Sequence, residues 1–85
     1  MAHHKSAIKR IRTNRTRNLR NRRYRSMMRT SIRRFREALD AESRRERLHT
    51  ACAILDRMAS KGIIHRNTAA RRKSRLHRYA SRLET

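Results

Sequence analysis

A single glycine interrupts the sequence, in the stretch Ala59-Ser60-Lys61-Gly62-Ile63-Ile64-His65-Arg66-Asn67-Thr68. The residue just past a helix often has left-handed backbone, which glycine adopts most easily, and an apolar residue after it makes a stabilising contact. Gly62 followed by Ile63 therefore predicts the end of one helix. Asn67 or His65 can cap the next helix, and we expect Asn67 to be the cap because Asn is among the residues most favoured there.

The rest of the sequence contains almost nothing that ends a helix, since proline is absent. A strand would need alternating β-branched or aromatic residues, and the only adjacent β-branched apolar pair is Ile63 and Ile64. We therefore expect an all-α fold, a three-helix bundle with a long basic N-terminal helix, in one domain over residues 1–85. Ser43 and Glu46 predict a capping box at the start of the second helix. The predicted helices are at about 6–41, 44–61 and 68–82.

Apolar residues recur at helical spacing in each predicted helix, which indicates the faces that pack together. The predicted seam residues are Tyr24, Met28, Ile32, Phe35 and Leu39 in the first helix, Leu48, Ala51, Cys52, Leu55, Met58 and Ala59 in the second, and Ala69, Leu76, Tyr79, Ala80 and Leu83 in the third. The first half of helix one lacks such a seam. Its cations point in nearly every direction at about 100° per residue, so we expect a rod that its partner surrounds. Helix three is predicted to be two-faced, with arginines opposite its apolar side.

Positive charge dominates the composition, since 26 Lys and Arg against 6 Asp and Glu give a net charge of +20. Residues 1–36 carry 14 cations and no acid, residues 37–60 carry 4 cations and 5 acids, and residues 61–85 carry 8 cations and 1 acid. Such charge opposes a compact monomer, so we expect folding to depend on a polyanion. Of the cations, 22 are Arg, whose guanidinium forms paired hydrogen bonds with phosphate, and this favours nucleic acid as the partner.

Other classes of function fit the sequence poorly. Basic membrane-surface helices need bulky apolar anchors, but the chain has no Trp and one Phe, and no apolar run is long enough to span a bilayer. His49, Cys52, His65 and His77 lack zinc-ligand spacing, apart from the weak three-residue step between the first two. We therefore expect no enzymatic activity, cofactor, metal or small-molecule substrate. A single cysteine fits a reducing compartment, with the cytoplasm as the default.

The sequence also indicates how nucleic acid is bound. Signatures of zinc fingers, RRM domains and GxxG clamps are absent, and aromatic residues are too few for a stacking platform. Basic side chains along helices instead suit contacts with phosphates and with the shape of a folded RNA. A nucleoid-associated protein that compacts DNA would share these features, and it is the main alternative.

Three stretches of the sequence are distinctive: KSAIKRIR at residues 5–12, RTSIRRFREA at residues 29–38 and ASKGIIHRNTAARRKSRL at residues 59–76. All three resemble the S20 family of bacterial small-subunit ribosomal proteins, and the likeness spreads over most of the chain. The segment between helices one and two, residues 40–47, lacks the glycine usual in that family. Helix one can therefore end at Glu42 or continue toward helix two.

The resemblance implies a three-helix bundle that binds small-subunit ribosomal RNA directly and supports assembly of the ribosome. It implies contacts with the 5′ domain and with the long penultimate stem near the 3′ end, beside other small-subunit proteins. The residues that carry over from the family are Lys5, Lys9, Arg10, Arg12, His65, Asn67, Arg71, Arg72, Lys73 and Arg75. The charge pattern adds Arg15, Arg17, Arg20, Arg22, Arg23, Arg25, Arg78 and Arg82 to the predicted RNA-binding set.

Overall fold

The computed structural model of the chain describes the backbone of residues 2–84 and the side chains of residues 5–83. It contains three α-helices, α1 (Ala2–Glu37), α2 (Ala41–Ser60) and α3 (Arg66–Glu84), and no strand in this part of the chain. The all-α prediction is confirmed, as is a long first helix. With 36 residues, α1 is about 54 Å long at about 1.5 Å per residue. The molecule is accordingly elongated, with extents of 65 × 21 × 12 Å.

The central helix of the bundle is α2, whose backbone lies close to both other helices. Among the described residues, no Cα atom of α1 lies within 8 Å of one in α3. These two helices meet through long side chains instead. The ring centroids of Phe35 and Tyr79 are 5.6 Å apart with an interplanar angle of 68°, and Arg72 donates from Nη1 to Sδ of Met28 at 3.2 Å.

The core is small and is built almost entirely from the predicted seams. Its buried residues are Met28, Phe35, Ala51, Ile54, Leu55, Met58, Ala69, Leu76 and Ala80, with Tyr24, Ile32, Leu48, Ala59, Ile63 and Ile64 packed against them. Phe35, Leu55 and Met58 are the largest side chains with no exposed surface. The predicted seam of α2 omitted Ile54, which is buried because α2 lies between two helices and buries more than one face.

The predicted end of helix one is wrong. The helix ends at Glu37, before Ala41, and Leu39, which was predicted to lie in the seam, is 94% exposed in the connection to α2. The predicted capping box is wrong too. Asp40 is the N-cap of α2, and its carboxylate accepts a hydrogen bond from the backbone N–H of Ser43 at 3.3 Å. Hydrogen bonding from the side chain of Ser43, and then from its backbone N–H, lowers the pKa of Asp40 below its ordinary value of 3.8. A favourable acceptor before the helix therefore starts α2 three residues earlier than predicted.

The turn at Gly62 is confirmed as a glycine-dependent helix end. Gly62 has a φ of +75°, its N–H donates to the carbonyl of Ala59 at 3.1 Å, and the N–H of Ile63 donates to the carbonyl of Met58 at 2.9 Å. This pair of bonds is the Schellman motif, which satisfies the last carbonyls of α2.

The preferred cap of the third helix is wrong, and its alternative is the one that the structure contains. α3 begins at Arg66, one residue before Asn67. The Nδ1 atom of His65 accepts a hydrogen bond from the backbone N–H of Asn67 at 3.1 Å. The imidazole therefore supplies the acceptor that an Asn cap would otherwise provide.

Candidate nucleic-acid interface

The first half of α1 projects from the bundle, which it meets at Arg20, and we call residues 5–22 the basic rod. Every described side chain from residue 5 to residue 19 is exposed. Even the large apolar residues Ile8, Ile11 and Leu19 keep 41%, 56% and 65% of their surface in solvent. The cations of the rod are Lys5, Lys9, Arg10, Arg12, Arg15, Arg17, Arg20 and Arg22.

Side-chain interactions within the basic rod stabilise its helix only weakly. The hydroxyls of Thr13 and Thr16 donate to the carbonyls of Lys9 and Arg12, four residues earlier, at 2.9 and 3.0 Å. Cations such as Lys5 and Lys9 lie one turn apart, where like charges destabilise a helix by about 0.2–0.5 kcal/mol per pair. Because no acidic residue occurs in the first 36 positions, the anions that would relieve this repulsion must come from a partner.

The basic rod joins the bundle at Arg20. Its Nη2 atom donates to the carbonyl of Lys61 at 3.5 Å, beside the C-terminus of α2, where the helix dipole favours a cation. Its Nε atom is buried without a hydrogen-bond partner. Arg22, Arg23 and Arg25 stay exposed beyond this junction. Arg20 is therefore partly used in the bundle, whereas its predicted companions along α1 face solvent.

A second cationic surface lies on α3, and we call Arg71, Arg75, Arg78 and Arg82 the arginine face. All four are exposed, while Ala69, Leu76 and Ala80, on the other side of the helix, are 2%, 7% and 8% exposed. The helical period produces this separation, because arginines at spacings of four, three and four stay on one side.

The remaining predicted residues of α3 are partly engaged within the protein. Lys73 forms an ion pair with Asp56 at 2.7 Å, and the hydrogen bond from this pair raises the pKa of Lys73. Arg72 contacts the sulfur of Met28 and is half-buried. His65 caps α3 through its imidazole, while Asn67 is exposed in the first turn. Asn67 lies one turn before Arg71 on the same side of α3, whereas Lys73 lies on the side that faces Asp56 of α2.

One cationic residue beside the arginine face was not predicted from the sequence. Arg36, in the last turn of α1, lines a cleft together with Arg75, Leu76, Arg78, Tyr79 and Arg82 of α3. The two segments are about forty positions apart in the chain, and only tertiary packing brings them together. No signal in the sequence indicated this neighbour, because the pattern along one helix does not specify which helix it meets.

The described residues contain no group of three or more His, Cys, Asp or Glu side chains that could hold a metal ion. Sγ of Cys52 lies 3.8 Å from Nε2 of His77, and burial raises the pKa of this thiol. A raised thiol pKa is the opposite of what an activated cysteine needs. None of the described helices is both long and apolar enough to cross a membrane.

The arrangement as a whole suits binding to phosphates. Guanidinium groups spread around the basic rod can contact phosphates that approach from several directions. The arginine face, whose four arginines lie on one side of α3, can contact phosphates on one surface only. Both would hold a polyanion through its backbone, because guanidinium groups form paired hydrogen bonds with phosphate oxygens.

Comparison with known proteins identifies the family. The family described as Ribosomal protein S20 matches residues 2–81. Relatives named small ribosomal subunit protein bS20 include one from Desulforudis audaxviator, 54% identical over 79 residues that cover 89% of this chain and 90% of the relative. Another, from Geobacter sulfurreducens, is 46% identical over 86 aligned positions that cover 98% of this chain and 99% of the relative. With the three helices described above, these matches show that the chain belongs to the ribosomal protein S20 family.

Proposed function

We propose that this chain is a structural component of the small ribosomal subunit, that it binds the RNA of that subunit directly, and that it supports assembly. It works within the ribosome, in the cytoplasm, and the family is one of ribosomal proteins, not enzymes. The observation that carries the RNA-binding role is the basic rod, a helical segment with eight cations and no acid whose side chains from residue 5 to residue 19 are all exposed.

The basic rod and the arginine face are the proposed RNA-binding surfaces. A rod with cations around its whole circumference gains most free energy when phosphates approach from more than one direction, as they do in a crevice of a folded RNA. The arginine face lies on another helix and can contact a separate RNA segment. A protein with two separate RNA-binding surfaces can join two RNA elements. We propose that these elements are the 5′ domain and the penultimate stem. Neighbouring small-subunit proteins complete its surroundings.

A pair of charge-matched variants tests the role of the rod. Arg12→Gln with Arg15→Gln removes two cations from the rod, and Arg45→Gln with Arg57→Gln removes two exposed cations from α2. Both proteins have the same net charge, so a general electrostatic attraction would be weakened equally. Binding to protein-free small-subunit RNA is measured by filter retention over a range of salt concentrations.

The rod variant should bind more weakly, and the slope of log K against log salt should fall by about 0.7–0.9 for each phosphate that the protein no longer neutralises. The α2 variant should keep a slope close to that of the unmodified protein. Equal slopes in the two variants would exclude the rod from the interface. Duplex DNA of similar length separates this function from DNA compaction, because a compactor would bind DNA and RNA equally tightly at moderate salt.

A further inference from the structure

A cleft of about 350 Å³ lies where the end of α1 meets α3. Four arginines line it, Arg36 from α1 and Arg75, Arg78 and Arg82 from α3, with Leu76 and Tyr79 completing its walls. No carboxylate is among these lining residues. The cleft therefore combines an aromatic ring with a concentration of positive charge that no acid in its lining offsets.

The ring of Tyr79 is held in place from one side. It packs at 68° against Phe35, which has no exposed surface, while 36% of Tyr79 itself stays exposed beside the cleft. A ring fixed by the core loses little conformational freedom when a flat ligand stacks on it. Arginine side chains around the ring can then hold the charge that such a ligand carries.

Tyr24, the second tyrosine of the chain, has different surroundings from Tyr79. The ring of Tyr24 is half-buried against the core, and Nζ of Lys61 lies 5.8 Å from its centroid. A cation of the protein thus already occupies that ring. Tyr24 serves as an internal reference within the same chain, because it also lines a cationic cleft, with Arg20, Arg23 and Lys61, but the ammonium of Lys61 already lies over its ring.

We propose that this cleft binds a single unpaired nucleotide of RNA, with the base stacked on Tyr79 and the adjoining phosphate held by the arginines of the lining. The inference rests on the proposed function, because the RNA delivers the nucleotide. A paired base inside a duplex has both faces covered by its neighbours, so only a bulged or looped nucleotide can place its base on the ring. The few aromatic residues of the chain argued against a platform on which several bases stack. A single ring in a fixed position is enough to stack one base.

Tyrosine fluorescence tests this directly, because the chain has no Trp and only two Tyr residues. In full-length protein carrying Tyr24→Phe, Tyr79 is the only remaining emitter. In the matched protein carrying Tyr79→Phe, Tyr24 is the only one. Each protein is titrated with an RNA duplex that contains one bulged adenosine, with the same duplex without the bulge, and with adenosine monophosphate alone.

The bulged duplex should quench Tyr79 emission, whereas the fully paired duplex should bind without quenching it. In a sulfate buffer that keeps the free protein folded, neither RNA should change Tyr24 emission. Tyr79→Phe should keep the preference for the bulged duplex, while Tyr79→Leu should lose about tenfold of affinity for it with an unchanged salt slope, since stacking involves no counterion release. Circular dichroism with the RNA bound confirms that the Leu variant is folded.

Equal quenching of Tyr79 by both duplexes, or by neither while both bind, would overturn the proposal and leave the proposed function intact. Quenching by adenosine monophosphate at the same concentration as by bulged RNA would assign the cleft to free nucleotides and also overturn it. If neither duplex nor small-subunit RNA binds at all, the proposed function fails together with this inference.

Discussion

Replacement of Gly62 by Ala should destabilise the bundle through the backbone alone. The φ of Gly62 is +75°, and a Cβ atom added there would have no neighbouring atom within 4 Å. Steric collision therefore contributes nothing to the expected loss. The left-handed conformation itself costs a residue with a side chain about 1–2 kcal/mol.

A smaller opposing effect acts on the unfolded chain. Alanine restricts the unfolded chain more than glycine does, which offsets about 0.4–1 kcal/mol of the loss. The net loss in the free energy of unfolding is therefore about 1 kcal/mol. For a domain of this size, such a loss lowers the melting temperature by about 4–8 °C. Gly62→Asn should cost less, because Asn tolerates the left-handed region, and Gly62→Val should cost more because it is β-branched.

Thermal unfolding followed by circular dichroism, in a sulfate buffer that screens the +20 charge, measures these differences. Ser74→Ala on the exposed surface of α3 is the control, with an expected change within about 0.5 kcal/mol. An Ala variant as stable as the unmodified protein would refute the left-handed turn. A loss above about 3 kcal/mol would refute the open space around the added Cβ.

Four other predictions address the core, the cap of α2, the arginine face and the coupling of folding to RNA binding. Phe35→Ala should cost about 3–5 kcal/mol, a large part of the roughly 4–13 kcal/mol expected of a chain this long, whereas Leu39→Ala should change the melting temperature little because that side chain is 94% exposed. Asp40 has a lowered pKa in the fold, so the stability that it adds is complete above the carboxyl's ordinary pKa and is lost as the pH falls through the lowered value. Asp40→Asn should keep the cap and flatten that part of the stability profile between pH 5 and acid, as compared by thermal melts. Arg71→Gln with Arg75→Gln should weaken RNA binding and lower its salt slope by about 0.7–0.9 for each phosphate left without its arginine, and an unchanged slope would remove both residues from the interface. Free protein at low salt should show less helix by circular dichroism than protein with RNA or sulfate, and full helicity without either would contradict coupled folding.

Much of the fold follows from patterns that are local in sequence. The absence of proline and the single glycine indicate long helices, and the apolar spacing identifies residues such as Phe35, Leu55 and Leu76 as core. The exposure of the basic rod was also predictable, since a segment with so few apolar residues cannot bury a face. Its role in RNA binding remains a proposal that the salt-dependence experiments test.

The errors lie where local signals compete. Ser43, in a capping-box pattern, and Asp40 are both favourable N-caps for α2. The structure uses Asp40, because α1 ends at Glu37 and leaves Leu39 exposed in the connection. Asn67 and His65 competed in the same way at the start of α3. Propensities separate such neighbours by a few tenths of a kcal/mol, which is less than the packing of a helix on its partners contributes.

The sequence by itself determined the helical class, the apolar seams and the distribution of charge, because each depends on residue type and on a period of 3.6 residues. Only the tertiary structure decided that α2 is central, that Ile54 is buried, and that Arg36 shares a cleft with Tyr79. These features depend on how three helices are placed relative to one another. That placement follows from the fit of side chains across interfaces, as between Phe35 and Tyr79, and a pattern along one helix contains no record of the surface that it meets.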